Sequence, residues 1–137
     1  MLKVDFYELN TVEDSKLLFA VIMARYEGKW IFVRHKDRTT WEIPGGHREE
    51  NENIEFTASR ELTEETGAKD FTITPVCIYS VDGGKSKSFG QLFYSEVHCL
   101  DELPNYEIGE IKLFNSLPEN LTYPLIQPHL FNLIFNK

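Results

Sequence analysis

The side chains best suited to chemistry gather in RELTEETG, positions 60–67, where Glu61, Glu64 and Glu65 stand at i, i+3 and i+4, with Glu52 a little upstream. At 3.6 residues per turn, these three positions span an arc of about 100° and project together from a helix. Such a cluster is costly. Like charges one turn apart destabilise a helix by about 0.2–0.5 kcal/mol. Carboxylates near the C-terminal end oppose the helix dipole at about 0.3–1 kcal/mol each. A solvated acidic face, with Arg60 pairing to Glu64, is the plain reading of this spacing. A hard divalent cation is the other, because it turns the repulsion into attraction. Mg²⁺ takes oxygen donors, keeps several waters and joins one or two carboxylates to substrate phosphates. A local rule broken without local gain marks a functional site. Glu52 and Arg60 are also spaced to pair across a loop and helix.

The elements that must carry these residues are visible in the pattern. Asn53 is placed as an N-cap, and Ile54, Ala58 and Leu62 make one apolar stripe. Gly67 falls where a helix C′ glycine belongs, so a helix is predicted over 53–66. Before it, residues 3–8, LLFAVIMARY at 17–26 and KWIFVRHK at 29–36 read as strands, the last two as a hairpin around Glu27-Gly28. In TTWEIPGGH, Pro44 and the glycine pair are expected to stop any strand and let the backbone bend tightly. After the helix, FTITPVCIYSV, KSFGQLFYSEVHCL and EIKLF read as strands, with a turn at DGGK, 82–85. LTYPLIQPHLFNLIFNK reads as a terminal helix with Pro124 in its first turn and Pro128 as a kink or delay. Mixed strands around a central and a terminal helix predict a single α/β domain over 1–137, with helices packed on a sheet.

Composition bounds the function. The chain is 42% hydrophobic and carries a formal net charge of −8, which suits a soluble core-forming domain and argues against broad nucleic-acid binding. No membrane role is expected, since LLFAVIMA is far too short to span a bilayer. MLKVDFYELN lacks the apolar run of a secretory leader, so a cytoplasmic location is expected. Cys77 and Cys99, without CxxC spacing, are expected to be buried thiols.

Residues 46–68, GHREENENIEFTASRELTEETGA, resemble the box of the Nudix family. Gly46, Glu52, Arg60, Glu61, Leu62, Glu64, Glu65, Gly67 and Ala68 fill its fixed positions, over 23 of the 137 residues. Asn51 stands where many members carry glycine, and Asn tolerates the φ > 0 that such a place requires. The resemblance implies an α/β/α sandwich with a mixed sheet and the box as loop–helix–loop. It also implies cleavage of nucleoside diphosphates linked to another moiety.

By the same resemblance, Glu61, Glu64 and Glu65 are expected metal ligands for Mg²⁺ or a substituting Mn²⁺, joined by the backbone carbonyl of Gly45. Glu52 and Arg60 are expected to orient the helix and its carboxylates. Glu64 or Glu65, then Glu107 and Glu110, are candidates for the base, and the last two also for an added ligand. Marks of the ADP-ribose and dinucleoside polyphosphate branches are missing. That leaves the MutT-type group, acting on nucleoside triphosphates, oxidised ones included, or on triphosphate RNA 5′ ends. HKDRTTWEIPGG and LPENL are similar to a bacterial branch reported to act on both. A non-catalytic nucleotide-sensing module is the alternative from another class. Arg34, His35, Lys36 and Arg38, and more weakly Lys85 and Lys87, are candidates for substrate phosphates, with Gly46 in the loop beside them. Trp41 and Phe89 are candidates to stack on a base or, more plainly, core aromatics. His47 reads as a solvated loop residue.

Overall fold

The computed structural model describes residues 2–103 and 107–135. The chain order is β1 (Lys3–Tyr7), a 3₁₀ turn at Asp14–Lys16, β2 (Leu17–Tyr26), β3 (Lys29–His35), β4 (Gly45–His47) and α1 (Ile54–Thr66). β5 (Ala68–Phe71), β6 (Thr74–Asp82), β7 (Lys87–Leu100), β8 (Ile108–Phe114) and α2 (Gln127–Phe135) follow. The strands make one mixed sheet in the order β1-β6-β7-β2-β3-β8, with β4 added to β2 and β5 to β7. β2 and β7 run parallel, and every other pair is antiparallel.

Alternation along β2 divides the core in two. Ala20, Ile22 and Ala24 pack with Ile54, Ala58 and Leu62 of α1. Met23 belongs to the opposite cluster, with Trp30, Phe32, Leu130 and Phe131. The helices therefore cover opposite faces, which makes the α/β/α sandwich. Ala58 and Leu62 are fully buried, so the apolar stripe predicted for α1 is the surface that docks it. Its ends are also as expected. Asn53 accepts a hydrogen bond from the Phe56 N–H at 2.8 Å, and Gly67 takes the left-handed conformation at φ 78°. Asn51 adopts φ 67°, so the loop keeps its left-handed residue without glycine. Among the described residues, no helix is long and apolar enough to cross a membrane.

Four sequence expectations need correction. Gly45 and Gly46 do not end strand structure; they form β4, paired to β2 through Val21↔Gly45 and Ala20↔Gly46. The run at 71–81 is split, with β5 ending at Phe71 and β6 beginning at Thr74. Pro124 lies before the terminal helix and not in its first turn, while the helix is delayed to Gln127 as expected, with Pro128 its second residue, where a missing N–H breaks no intrahelical bond. Cys77 is buried, but Cys99 is exposed, and the two form no disulfide.

Gly67 is the fold feature most open to test. A Cβ there would lie 2.4 Å from the Asp101 carbonyl oxygen, and φ is unfavourable for any L side chain. Gly67→Ala is expected to lower unfolding free energy by about 1–3 kcal/mol, read from urea denaturation. An unchanged midpoint would show that the turn after α1 relaxes freely.

Candidate active site

The site is built where the β2–β3 hairpin forks. Glu27 and Gly28, at φ 52° and 79°, make the tight reversal. The two strands then pair only at Arg25↔Trp30 and Tyr26↔Lys29. Beyond that, residues 42–47 enter between them. Glu42 exchanges two backbone hydrogen bonds with Val33, each 2.9 Å, and the Ile22 N–H donates to the Pro44 carbonyl at 2.9 Å. β4 continues along β2 and passes under α1.

This path explains the glycine pair. Neither residue uses positive φ; both use the missing Cβ. At Gly45 a Cβ would sit 2.4 Å from the Ala20 carbonyl oxygen, and at Gly46 2.0 Å from Glu61 Oε2. The Gly45 N–H donates to Glu65 Oε1 at 3.0 Å. Two of the clustered carboxylates thus rest directly on the backbone of β4.

Arg60 organises the remainder. Its guanidinium donates to both oxygens of Glu52, with Nη2–Oε1 at 3.0 Å, to Glu64 Oε1 at 3.1 Å and to the His47 carbonyl at 3.1 Å. It also approaches Glu61 Oε2 at 3.4 Å. The pairing with Glu64 and the pairing with Glu52 therefore coexist. Glu52 further accepts from Thr57 Oγ1 at 2.8 Å and the Glu49 N–H at 3.0 Å. Arg48, which the sequence reading passed over, ties the loop down. It donates to the Glu52 carbonyl at 2.7 Å and to Asp14 Oδ2 at 2.6 Å.

Identical side chains acquire opposite acidities here. The Arg60 hydrogen bonds hold Glu52 down to about 2. Burial, reinforced by Glu64, pushes Glu61 up to about 7 against the pull of Arg60. Burial pushes Glu65 up to about 8, opposed by the Gly45 N–H and reinforced by the charges of Glu61, Glu42 and Glu107. Glu64 remains half-exposed.

Other candidates fall at graded distances from this centre. Glu107 acts on Glu65 electrostatically, and its carbonyl accepts the Lys36 N–H at 2.9 Å. Glu110 instead faces Arg34 across the β3–β8 pairing, with Nε–Oε1 at 3.6 Å. Arg34 also donates to the Arg38 carbonyl at 2.9 Å. Arg38 pairs with Glu42 Oε2 at 3.0 Å, while the Lys36, Lys85 and Lys87 side chains are exposed. Trp41 packs edge-on against Phe114 at 5.3 Å, and Phe89 packs on Tyr7 at 5.7 Å, as core aromatics do. His35 and Glu42 are the surprise. His35 Nε2 lies 2.9 Å from Glu42 Oε1 and 3.8 Å from Glu65 Oε2, and Glu42 is buried.

A cavity of ≈330 Å³ opens beside β4. Gly45, Gly46 and His47 line one side, with Phe19, Val21, Glu42 and Ile43; Tyr79, Tyr123, Gln127 and Leu130 close it from the other strands and α2. His47 is thus more than a solvated loop residue, and its ring tilts against Phe19 at 4.6 Å.

The residues present suit a hard divalent cation. The donor set is all oxygen, ionisation is disfavoured at the half-buried Glu61 and the buried Glu65, and the missing Cβ of Gly46 lets the Glu61 carboxylate sit against β4. Among the described residues, no three His, Cys, Asp or Glu side chains converge into a closed cage. Arg60 lies among three of the glutamates instead, and Mg²⁺ needs only one or two of them together with water and phosphate.

The raised acidities set a stability signature for the metal-free protein. A folded state in which Glu61 and Glu65 titrate near 7 and 8, against 4.5 unfolded, holds extra protons between those limits. Their contribution is fully present below pH 4.5 and is lost as pH rises through 8. Metal-free melting temperature is expected to fall across that window. Millimolar Mg²⁺ or Mn²⁺ should flatten the fall, since a ligand of the folded state stabilises it. Melting curves indifferent to both ions at pH 8 would remove the cation from the site.

The Nudix domain pattern matches residues 15–124. Among curated proteins, the chain is 34% identical over 102 residues to YtkD, a proposed 8-oxo-dGTP diphosphatase of Bacillus subtilis, covering 74% of this chain and 64% of that one. It is 33% identical over 109 residues to an ADP-ribose pyrophosphatase of the same organism, covering 72% and 59%. The match therefore spans less than two thirds of the length of either relative. Among solved structures, the Bacillus subtilis pyrophosphohydrolase BsRppH superposes with a TM-score of 0.73 at 28% identity, over 87% of this chain and 74% of that one. A UDP-X diphosphatase shares the fold at a TM-score of 0.72 and 20% identity, over 93% and 66%. With the box residues disposed around one helix and the domain pattern running through most of its length, the chain belongs to the Nudix family.

Proposed function

We propose that the chain hydrolyses a pyrophosphate bond in a nucleoside triphosphate or a related nucleoside diphosphate derivative, oxidised dGTP included, releasing a nucleoside monophosphate and pyrophosphate. The observation that carries the reading is the pair Glu61 and Glu65. Glu65 is buried and Glu61 half-buried against the backbone of β4, whose glycines line a cavity, and both are poorly able to ionise unless a cation joins them. The names of the relatives support the same bond type. A small nucleotide ligand and a cytoplasmic location go with it.

Glu61, Glu64 and Glu65, with the Gly45 backbone, would hold Mg²⁺. The ion supplies charge neutralisation at the phosphate oxygens and acidifies the attacking water. The chain's own groups do the positioning. Arg60 fixes Glu52 and steadies Glu64 through one oxygen, so the Glu64 carboxylate keeps acceptor capacity. The Gly45 N–H orients Glu65. Either carboxylate can take the proton of the water, a role worth about 10²–10⁴ in rate. Glu107 is the added acid whose charge reaches this centre. A second substrate reading, the triphosphate 5′ end of RNA, uses the same carboxylates. The similarity of HKDRTTWEIPGG and LPENL to a branch acting on both supports it.

Glu64→Gln and Glu65→Gln are each expected to cut Mg²⁺-dependent turnover by about 10²–10⁴ while the circular dichroism spectrum stays native. The measurement is product chromatography after incubation with nucleoside triphosphates, oxidised dGTP, ADP-ribose and triphosphate-ended RNA. Full turnover in both variants would withdraw the catalytic assignment, and the preferred compound decides between the substrate readings.

A further inference from the structure

A second cavity, of ≈600 Å³, lies on the face of the sheet that α1 covers, between the start of that helix and the loop after β1. Its floor is apolar, from Leu17, Ile54 and Ile78. Gln91 of β7 stands among them and lines the cavity, at 7% exposed. It pairs with Ile78 on β6 and Ala20 on β2, and alternation puts its side chain on the face of Phe93 and Val97. Among the described residues, that side chain makes no hydrogen bond. A buried amide without partners costs about 1–3 kcal/mol. A leucine at this place would extend the apolar floor without that cost. The cavity is the side from which partners for Gln91 can come.

We propose that this cavity binds a neutral polyhydroxylated molecule, of the sugar or cyclitol class, with Gln91 as its most buried polar contact. The rim decides the class. Asn10 and Asn53 add carboxamides, Asp14 and Glu55 add carboxylates, and no Lys or Arg lines the cavity among the described residues. An anion would face both carboxylates, and the Phe56 N–H that could receive it is taken by Asn53 at 2.8 Å. A full cation is not favoured either. Asp14 is already paired with Arg48 at 2.6 Å, and the α1 N-terminus adds about half a positive charge beside Glu55. A cation would also lose hydration next to Gln91 and the apolar floor. A hydroxyl both donates and accepts. Vicinal hydroxyls therefore complement an amide, with its donor beside its acceptor, and a carboxylate, which accepts at two oxygens. The carbon skeleton of such a ligand rests on Leu17, Ile54 and Ile78. The volume falls within the range of small-molecule sites, about 300–1,000 Å³. The cavity meets α1 at its first residues, whereas Glu61 and Glu65 lie toward its other end, so the inference does not rest on the hydrolase reading.

The test is a proton–nitrogen correlation NMR titration of the full chain, followed at the side-chain amides of Gln91, Asn10 and Asn53. The probes are D-glucose, D-ribose and myo-inositol, with spermidine and inorganic phosphate as charged controls. At least one polyol should give saturable shifts at all three amides, and the controls should give none at equal concentration. Gln91→Leu should weaken that binding by about tenfold or more, read at Asn10 and Asn53. Asn10→Gly removes an amide at φ 66°, a conformation that glycine adopts freely. It should weaken binding about three- to tenfold, and it decides the matter where the leucine variant fails to fold. No saturation with any of the three polyols would leave water as the only partner of Gln91 and overturn the proposal. Saturable binding of spermidine or phosphate in their place, or affinities unchanged in both variants, would overturn it as well.

Discussion

The close approach of α1 to the backbone of β4 is the constraint on which the site depends. Glu61 lies where the Cβ of any other residue at position 46 would be, and Glu65 takes its hydrogen bond from the next amide along the same strand. Both contacts require β4 to run directly beneath the helix. That in turn requires the β2–β3 hairpin to open after two residue pairs and admit a third segment. A hairpin zipped along its length would leave no room for β4. The same backbone then bends the acidity of the helix: burial against β4 raises Glu61 and Glu65, while Glu52, held by Arg60 outside that contact, is lowered.

Much of α1 was legible because its determinants are local. The stripe of Ile54, Ala58 and Leu62, the Asn53 cap and the Gly67 stop lie within one segment, and each acts through neighbours a turn away. The sheet was less legible where pairing is long-range. The expectation that Pro44 and two glycines end strand structure treated Gly45 and Gly46 as sources of backbone freedom. Their φ values use none of it, and what matters is the absent Cβ beside Ala20 and Glu61. A similar limit hid Glu42. Between Trp41 and Ile43 it reads as the outward residue of an alternating run. Its burial follows from the bridge to Val33 and the contact with His35, both reached across the turn after β3, with only Arg38 close to it in sequence. A glutamate immediately before Ile-Pro-Gly-Gly is the only hint the sequence offers.

The division of labour among the glutamates follows from how many donors each carboxylate receives. Glu52 accepts from Arg60, Thr57 and the Glu49 amide, so it is a settled anion and a fixed point for the loop. Glu65 receives one amide hydrogen bond against nearly complete burial and three neighbouring carboxylates, so it is the least settled. A group in that state gains most from an added cation, which places the unfavourable electrostatics and the proposed chemistry at the same atoms. Charge that would be a liability on an ordinary surface helix is concentrated where a ligand can neutralise it.

β4 also couples the carboxylates to the cavity beside it. Gly45 and Gly46 meet the α1 carboxylates on one side and, with His47, line the cavity that reaches α2 on the other. Because β4 is held to β2 by backbone register, the placement of the carboxylates relative to the cavity is set by a strand and not by a loop. His35, at the end of β3, and Glu42, in the segment that leads into β4, meet at 2.9 Å, and His35 reaches on to Glu65 at 3.8 Å. Whatever fills the cavity therefore lies against the same backbone that orients Glu65.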